Sequence, residues 1–333
     1  MRTVNWQELY ASNRAVIERA ARIPEGGRGS PLESTIVAGR TRRVLVHRPA
    51  RLDPTTAAPL VCMLHGCTQD AASFAAATRM NDAADRHGFV VVYPQQERAR
   101  NPQACWNWFS PPHQARGAGE PAAIATVVRE LIGTTSDCSI DARRVYVAGL
   151  SAGGAMAAIM AATYPDLFAA VAVHSGLAYG SATGVRAAFT AMARGGGDPA
   201  ARGRAAHTAM GEHARPVPSL VVHGTADATV APVNGDQVLE QSMTANRLAA
   251  PERCAFDLTR PTDTTRGRVE GGHRYERSRW IDRRGALMHE RLRVDGMGHA
   301  WSGGPSGASY TDPRGPDATD AIWRFFTQVA REC

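Results

Sequence analysis

Apolar and polar residues along this 333-residue chain fall into blocks whose period changes from one to the next. The runs APLVCMLHG, GFVVVYP, RRVYVAGL, LFAAVAVHSG and VPSLVVHGTAD are short, apolar and rich in β-branched residues, and they predict strands. Between them, AASFAAATRMNDAADRHG, AAIATVVRELIG and SAGGAMAAIMAATYP carry helical spacing. Strands that are apolar throughout and alternate with helices predict a mostly parallel central sheet covered on both faces, an α/β fold. TIVAGRTRRVLVHRPA predicts two short strands around a turn, and RYERSRWID with LMHERLRVD predicts an antiparallel hairpin turning at Arg284-Gly285. Trp6, Leu9, Val16 and Ile17 suggest an amphipathic helix ending before Pro24, and ATDAIWRFFTQVA a last helix packed on the sheet. One domain over 1–333 is expected, with a helical segment at 1–24 and a cap or loop insertion at 178–215.

Composition narrows the class. Hydrophobic residues at 44% and charged residues at 21% suit an ordinary globular protein. The net charge of +7 comes from arginine alone, since the chain has no lysine. The arginines are scattered, with pairs such as Arg42-Arg43 and Arg143-Arg144 but no long basic run, which reads as a solvated surface and not a nucleic-acid site. No apolar stretch is long enough to span a bilayer, and the first residues lack the features of a signal peptide. Neither a nucleic-acid nor a membrane partner is expected. The expected compartment is the cytoplasm, or the periplasm or exterior if a leader was trimmed. The six cysteines show neither zinc-ligand spacing nor a C-x-x-C pair, so no metal is expected, and Cys62 and Cys138 read as inert thiols.

Chemistry enters at VAGLSAGGAM, where Ser151 stands between Gly149 and Gly153 at a strand-to-helix junction. In this context G-x-S-x-G predicts a nucleophile elbow, whose strained serine tolerates only small neighbours. A serine needs a base, and in this fold the acid and then the histidine follow it along the chain. Of His273, His289 and His299, the last lies in the glycine-flanked loop DGMGHAW just after a strand, the best position to reach Ser151. Asp227, at the end of the strand in LVVHGTADATV, is the favoured acid over Asp257, Asp263, Asp282 and Asp295. The amides of Ala152, next to the serine, and Cys67, after His65-Gly66, are placed to hold an oxyanion.

Together LHGCTQ, CWNWF, RVYVAGLSAGGAM, HGTADATV, GMGHAWSGG and YTDPRGPDAT resemble the catalytic domain of poly(3-hydroxybutyrate) depolymerase-type esterases, related to feruloyl and acetylxylan esterases. The resemblance runs from about Thr35 to the last helix. It implies an α/β-hydrolase fold and a cofactor-free serine esterase, with Ser151, Asp227 and His299 matching its triad and Cys67 and Ala152 its oxyanion donors. HAWSGG departs from the commoner HAWPGG of the family, and the leader and polymer-binding domain usual in secreted depolymerases are not evident.

Trp301, two residues after His299, is expected to line the substrate pocket, with Trp106 and Trp108 as further contacts or core residues. Cys67 and Cys105, each following a strand at the same end of the sheet, could form a disulfide, and Cys254 and Cys333 another. The expected substrates are short acyl esters and soluble hydroxybutyrate oligomers in preference to crystalline polymer, with the arginine-rich 178–215 roofing part of the cleft and the chain's positive charge attracting anionic oligomers. A feruloyl or acetylxylan esterase, or an acyl transferase with the same triad, is the alternative. The oligomeric state is left open.

Overall fold

The computed structural model describes residues 43–53, 55–134 and 139–329, and the backbone of 33–36. The helix expected within 1–24 lies outside the described residues. The first half of the chain forms β1 (Glu33–Ile36), β2 (Arg43–His47), β3 (Ala58–Leu64), α1 (Ala71–Thr78), α2 (Met80–His87), β4 (Val90–Pro94), α3 (Gly119–Gly133), β5 (Ile140–Leu150) and α4 (Ala152–Thr163). Next come β6 (Ala170–His174), α5 (Val185–Arg194), α6 (Pro199–Met210), β7 (Ser219–Gly224) and α7 (Val233–Ala249). The last part holds β8 (Asp263–Arg268), β9 (Arg274–Ile281), β10 (Leu287–Val294), β11 (Trp301–Ser302), β12 (Thr311–Asp312) and α8 (Ala318–Phe326).

The main sheet has ten strands in the order β1-β2-β4-β3-β5-β6-β7-β10-β9-β8. Its centre, β4 to β10, is parallel, and antiparallel strands extend both sides. Strand alternation divides the core. Leu60, Cys62 and Leu64 of β3 pack toward α3 and α4, whereas Val61 and Met63 face the side covered by α1, α2 and α8. All twelve residues of α4 are buried, which its alanine and glycine content permits between the sheet and its neighbours. On the opposite face Phe89 stacks on Trp323 at 3.9 Å and Tyr146 on Phe326 at 4.5 Å. Apolar β3 and β4, buried on both sides, show why their sequences do not alternate.

Two expectations need adjustment. AASFAAATRMNDAADRHG folds as two helices because Arg79 adopts φ 51°, closing α1 and opening α2. Its guanidinium holds that corner by reaching the Gly303 carbonyl and Asp317. Strand β8, DTTRGR, carries no apolar alternation and was invisible to pattern reading. It joins through ladder bonds to β9 and the Arg266–Glu276 ion pair, and its charge suits an exposed sheet edge. Within 178–215 the chain forms α5 and α6. Among the described residues, no helix is long and apolar enough to cross a membrane.

Candidate active site

Ser151 sits at the junction of β5 and α4 with φ 58° and ψ −119°, a conformation unfavourable for a residue with a side chain. The surroundings hold it there. Its amide donates to the His174 carbonyl at 2.9 Å, and its carbonyl accepts from the Ala155 amide at 2.9 Å. The flanking glycines are sterically required: a Cβ on Gly153 would lie 1.9 Å from the Leu64 carbonyl oxygen, and one on Gly149 2.3 Å from the Gly153 backbone.

Asp227 lies in the loop after β7 and is buried. Its Oδ1 accepts the amides of Thr229 at 3.0 Å and Val230 at 2.8 Å, and Oδ2 faces His299 Nδ1 at 2.8 Å. His223 Nε2 approaches the same Oδ2 at 3.4 Å. Burial pushes the Asp227 carboxyl up, but hydrogen bonds from His223 and His299, and their charge, hold it well below the usual carboxylate range. An ionised carboxylate accepts, so Nδ1 of His299 donates and Nε2 is left as the basic nitrogen. His299 and Ser151 line one cavity of about 350 Å³, although no hydrogen bond joins their side chains among the described residues.

The other titratable candidates lie elsewhere. His289 is buried against Ser219 and Asn246, and burial lowers its pKa to about 3. His273 pairs with Asp312 at 2.9 Å. Asp282 pairs with Arg253, and Asp257 caps its own turn at Thr259.

The loop carrying Cys67 is tied at several points. His65 Nδ1 donates to the Gly66 carbonyl at 2.8 Å, while its Nε2 accepts from the Gln96 amide at 3.0 Å. The Thr68 amide donates to the Gln103 carbonyl at 2.7 Å, and a disulfide joins Cys67 to Cys105. The Cys67 amide makes no hydrogen bond among the described residues, and Ala152, at the first position of α4, has no acceptor inside its own helix. Both amides remain available to a ligand oxygen. Cys254 carries a free thiol, and Cys333, its suggested partner, lies outside the described residues.

Two of the three tryptophans expected at substrate belong to the core. Trp301, in β11, turns away from the cavity, donates to Thr319 Oγ1 at 3.1 Å and stacks on His174 at 5.0 Å. Trp106 donates to the His65 carbonyl at 3.1 Å beneath the loop, and only Trp108 reaches the cavity. The reason is that each indole N–H finds its acceptor below the loop, in the protein interior. His174 in turn accepts the Ser302 amide at 3.1 Å, and burial, with the nearby imidazoles, lowers its pKa to about 3, keeping it a neutral acceptor. It fixes the loop that bears His299.

Segment 178–215, expected to roof the cleft, contributes apolar residues of α5 to the cavity lining that sequence reading did not single out. Val185, Ala188, Phe189 and Met192 of α5 line the cavity, joined by Phe109 and Tyr310. Their spacing of three, four and seven residues is a helical stripe that could have flagged it. No arginine of 178–215 lines this cavity. Glu120 was missed too: fully buried, it accepts from Gln96, from the Asn107 amide at 2.8 Å and from Asn107 Nδ2 at 2.7 Å, anchoring the tryptophan loop. No group of side chains suited to a metal occurs among the described residues.

Sheet order and serine elbow together define an α/β-hydrolase fold. Residues 49–259 match the family described as esterase PHB depolymerase, and the chain belongs to it. It is 44% identical over 186 residues to poly(3-hydroxyalkanoate) depolymerase C of Paucimonas lemoignei, covering 55% of this chain and 44% of that protein. It is 36% identical over 147 residues to feruloyl esterase B of Neurospora crassa, covering 44% of this chain and 48% of the other. The chain spans about half the length of these curated relatives. The structure of an acetyl xylan esterase from Aspergillus awamori matches 90% of this chain and 99% of its own with a TM-score of 0.70 at 22% identity, a likeness of fold.

Proposed function

We propose that this chain is a serine carboxylic-ester hydrolase acting through an acyl-enzyme. The observation that carries this reading is the shared cavity. Ser151, on its strained elbow, faces it together with His299, whose other ring nitrogen bonds a buried, ionised Asp227. Ser151 Oγ attacks the ester carbonyl carbon while His299 Nε2 takes the hydroxyl proton. The amides of Cys67 and Ala152 hold the oxyanion, and collapse of the adduct expels the alcohol, which receives that proton. Water, deprotonated by the same imidazole, then attacks the acyl-enzyme and releases the acid. Asp227 orients the ring and stabilises its charged form without taking the proton. The serine–histidine hydrogen bond of this mechanism tightens around bound substrate.

The cavity wall favours an apolar acyl or alcohol group. Trp108, Phe109, Phe189 and Met192 line it, and His299 is its one ionisable group besides Tyr310. Short acyl esters and soluble hydroxybutyrate oligomers are the proposed substrates. The aromatic side chains also favour an aromatic acyl group, as in methyl ferulate. A turnover screen over nitrophenyl esters, hydroxybutyrate trimer, polymer film and methyl ferulate tests the assignment, with Ser151→Ala as control. Hydrolysis of none of them by the parent, or undiminished hydrolysis by the variant, refutes it.

A further inference from the structure

A second cavity, of about 370 Å³, lies between β7, β10 and the first turn of α7, and shares no lining residue with the first. His223 lines it, with its side chain only 5% exposed. Its Nε2 faces two acceptors, the Val230 carbonyl at 2.9 Å and Asp227 Oδ2 at 3.4 Å, so that nitrogen carries a proton. The other nitrogen, Nδ1, is buried without a hydrogen-bond partner. Unpartnered buried polar atoms are uncommon and costly. Gly235 stands beside this nitrogen, where a Cβ would lie 2.8 Å from it and crowd the ring.

The same cavity carries two arginines. Arg291 Nη1 donates to Asp236 Oδ1 at 2.8 Å, but its Nε is buried and unpartnered. Arg293 is exposed and has no ion-pair partner among the described residues. Glu276, 3.8 Å from Arg291, is itself paired with Arg266 at 2.8 Å. Asp236 offsets one arginine, so the lining is net positive.

We infer that this cavity binds a small oxyanion, a carboxylate or inorganic phosphate, held by Arg293, Arg291 Nε and His223 Nδ1. With its proton on Nε2, His223 presents Nδ1 as an acceptor for the O–H of dihydrogen phosphate, while Arg293 and Arg291 Nε donate to the anion's charged oxygens. The charged and titratable groups around it are Asp227 from the acid loop, Asp236 from α7, and Arg291 and Arg293 from β10, with His174 and His299 beyond. Because His223 also touches Asp227, occupancy is felt one residue away from His299.

Calorimetric titration of the full chain near pH 6 tests the site, with inorganic phosphate in one arm and acetate in the other. The expected result is saturable binding with a Kd of ~1–10 mM in at least one arm. Arg293→Gln should weaken it about tenfold through loss of a charge-assisted contact. Blocking Ser151 with a fluorophosphonate should leave it unchanged. Binding in one arm alone identifies the anion as phosphate or carboxylate. Absence of saturable binding in both arms, indifference to Arg293→Gln, or loss on blocking Ser151 would each overturn the site. The fluorophosphonate arm separates this outcome from failure of the esterase reading, because labelling of Ser151 is scored independently.

Discussion

Asp227 meets His299 at 2.8 Å through one carboxylate oxygen while its other oxygen is fully engaged by the amides of Thr229 and Val230. This division of labour dictates what an amide would do. In Asp227→Asn the amide oxygen stays with the two backbone donors, and the NH2 group then faces His299 Nδ1. The ring must accept there and carry its proton on Nε2, the wrong tautomer for a base. We expect kcat to fall by ~10³–10⁴-fold because the ring is then held in the non-basic tautomer, with KM changed little. Steady-state kinetics on a nitrophenyl ester checks it.

The same carboxylate sets an acid limit to stability. Its folded pKa is depressed below the unfolded value of about 3.9. The stabilisation is therefore present above about pH 4 and is lost as pH falls from there through the folded value. Melting temperatures recorded from pH 7 downward should drop more steeply below about pH 4 in the parent than in Asp227→Asn. Parallel curves would show that the pairing contributes nothing to this dependence.

The elbow glycines are a steric prediction. A methyl group on Gly153 would sit 1.9 Å from the Leu64 carbonyl oxygen, against backbone in the centre of the sheet. Gly153→Ala should destabilise by about 3 kcal/mol or more, since neither strand nor helix can yield cheaply. Gly133→Ala is the control, because a Cβ there meets nothing within 4 Å. Urea denaturation of the two variants beside the parent measures the difference.

How much of this was legible beforehand follows from what each residue depends on. The parallel strands and the positions of Ser151, Asp227 and His299 could be read because strand-loop order and glycine spacing are local properties. Side-chain direction in irregular loops is not local. Trp106 and Trp301 point inward because the His65 carbonyl and Thr319 hydroxyl wait there, 41 and 18 residues away in sequence. His223 beside Asp227, and Glu120 beneath the tryptophan loop, were hidden for the same reason. Arg79 broke an otherwise continuous helical pattern through contacts with Gly303 and Asp317, more than two hundred residues downstream.

Reduction should loosen the loop that carries the Cys67 amide. The Cys67–Cys105 bridge closes a 38-residue separation, which the chain-entropy model values at about 4 kcal/mol at most. In Cys67→Ser/Cys105→Ser the backbone amide at position 67 survives but loses its tether. Melting temperature should fall, and kcat should decline by less than the ~10²-fold of a lost oxyanion donor. An unchanged kcat would mean that the Thr68–Gln103 and His65 hydrogen bonds suffice to position the amide.

The apolar stripe of α5 predicts selectivity by acyl size. Phe189 and Met192 stand one turn apart in the lining of the cavity that Ser151 shares, and no arginine of α5 lines it. A small acetyl group bound at the serine has little reach toward those side chains, whereas a butyryl, hydroxybutyryl or aromatic acyl group extends farther. Removing a fully used phenyl ring costs about 1.5–3 kcal/mol of apolar burial, which is ~10–100-fold in kcat/KM. Phe189→Ala should therefore lose that factor on nitrophenyl butyrate or methyl ferulate and stay within a few-fold of the parent on nitrophenyl acetate. Met192→Ala should act in the same direction with a smaller loss. Selectivity is the readout because misfolding or a displaced triad would depress all esters alike. Equal losses on acetate and butyrate would remove α5 from substrate selection and leave the serine, histidine and aspartate assignments untouched.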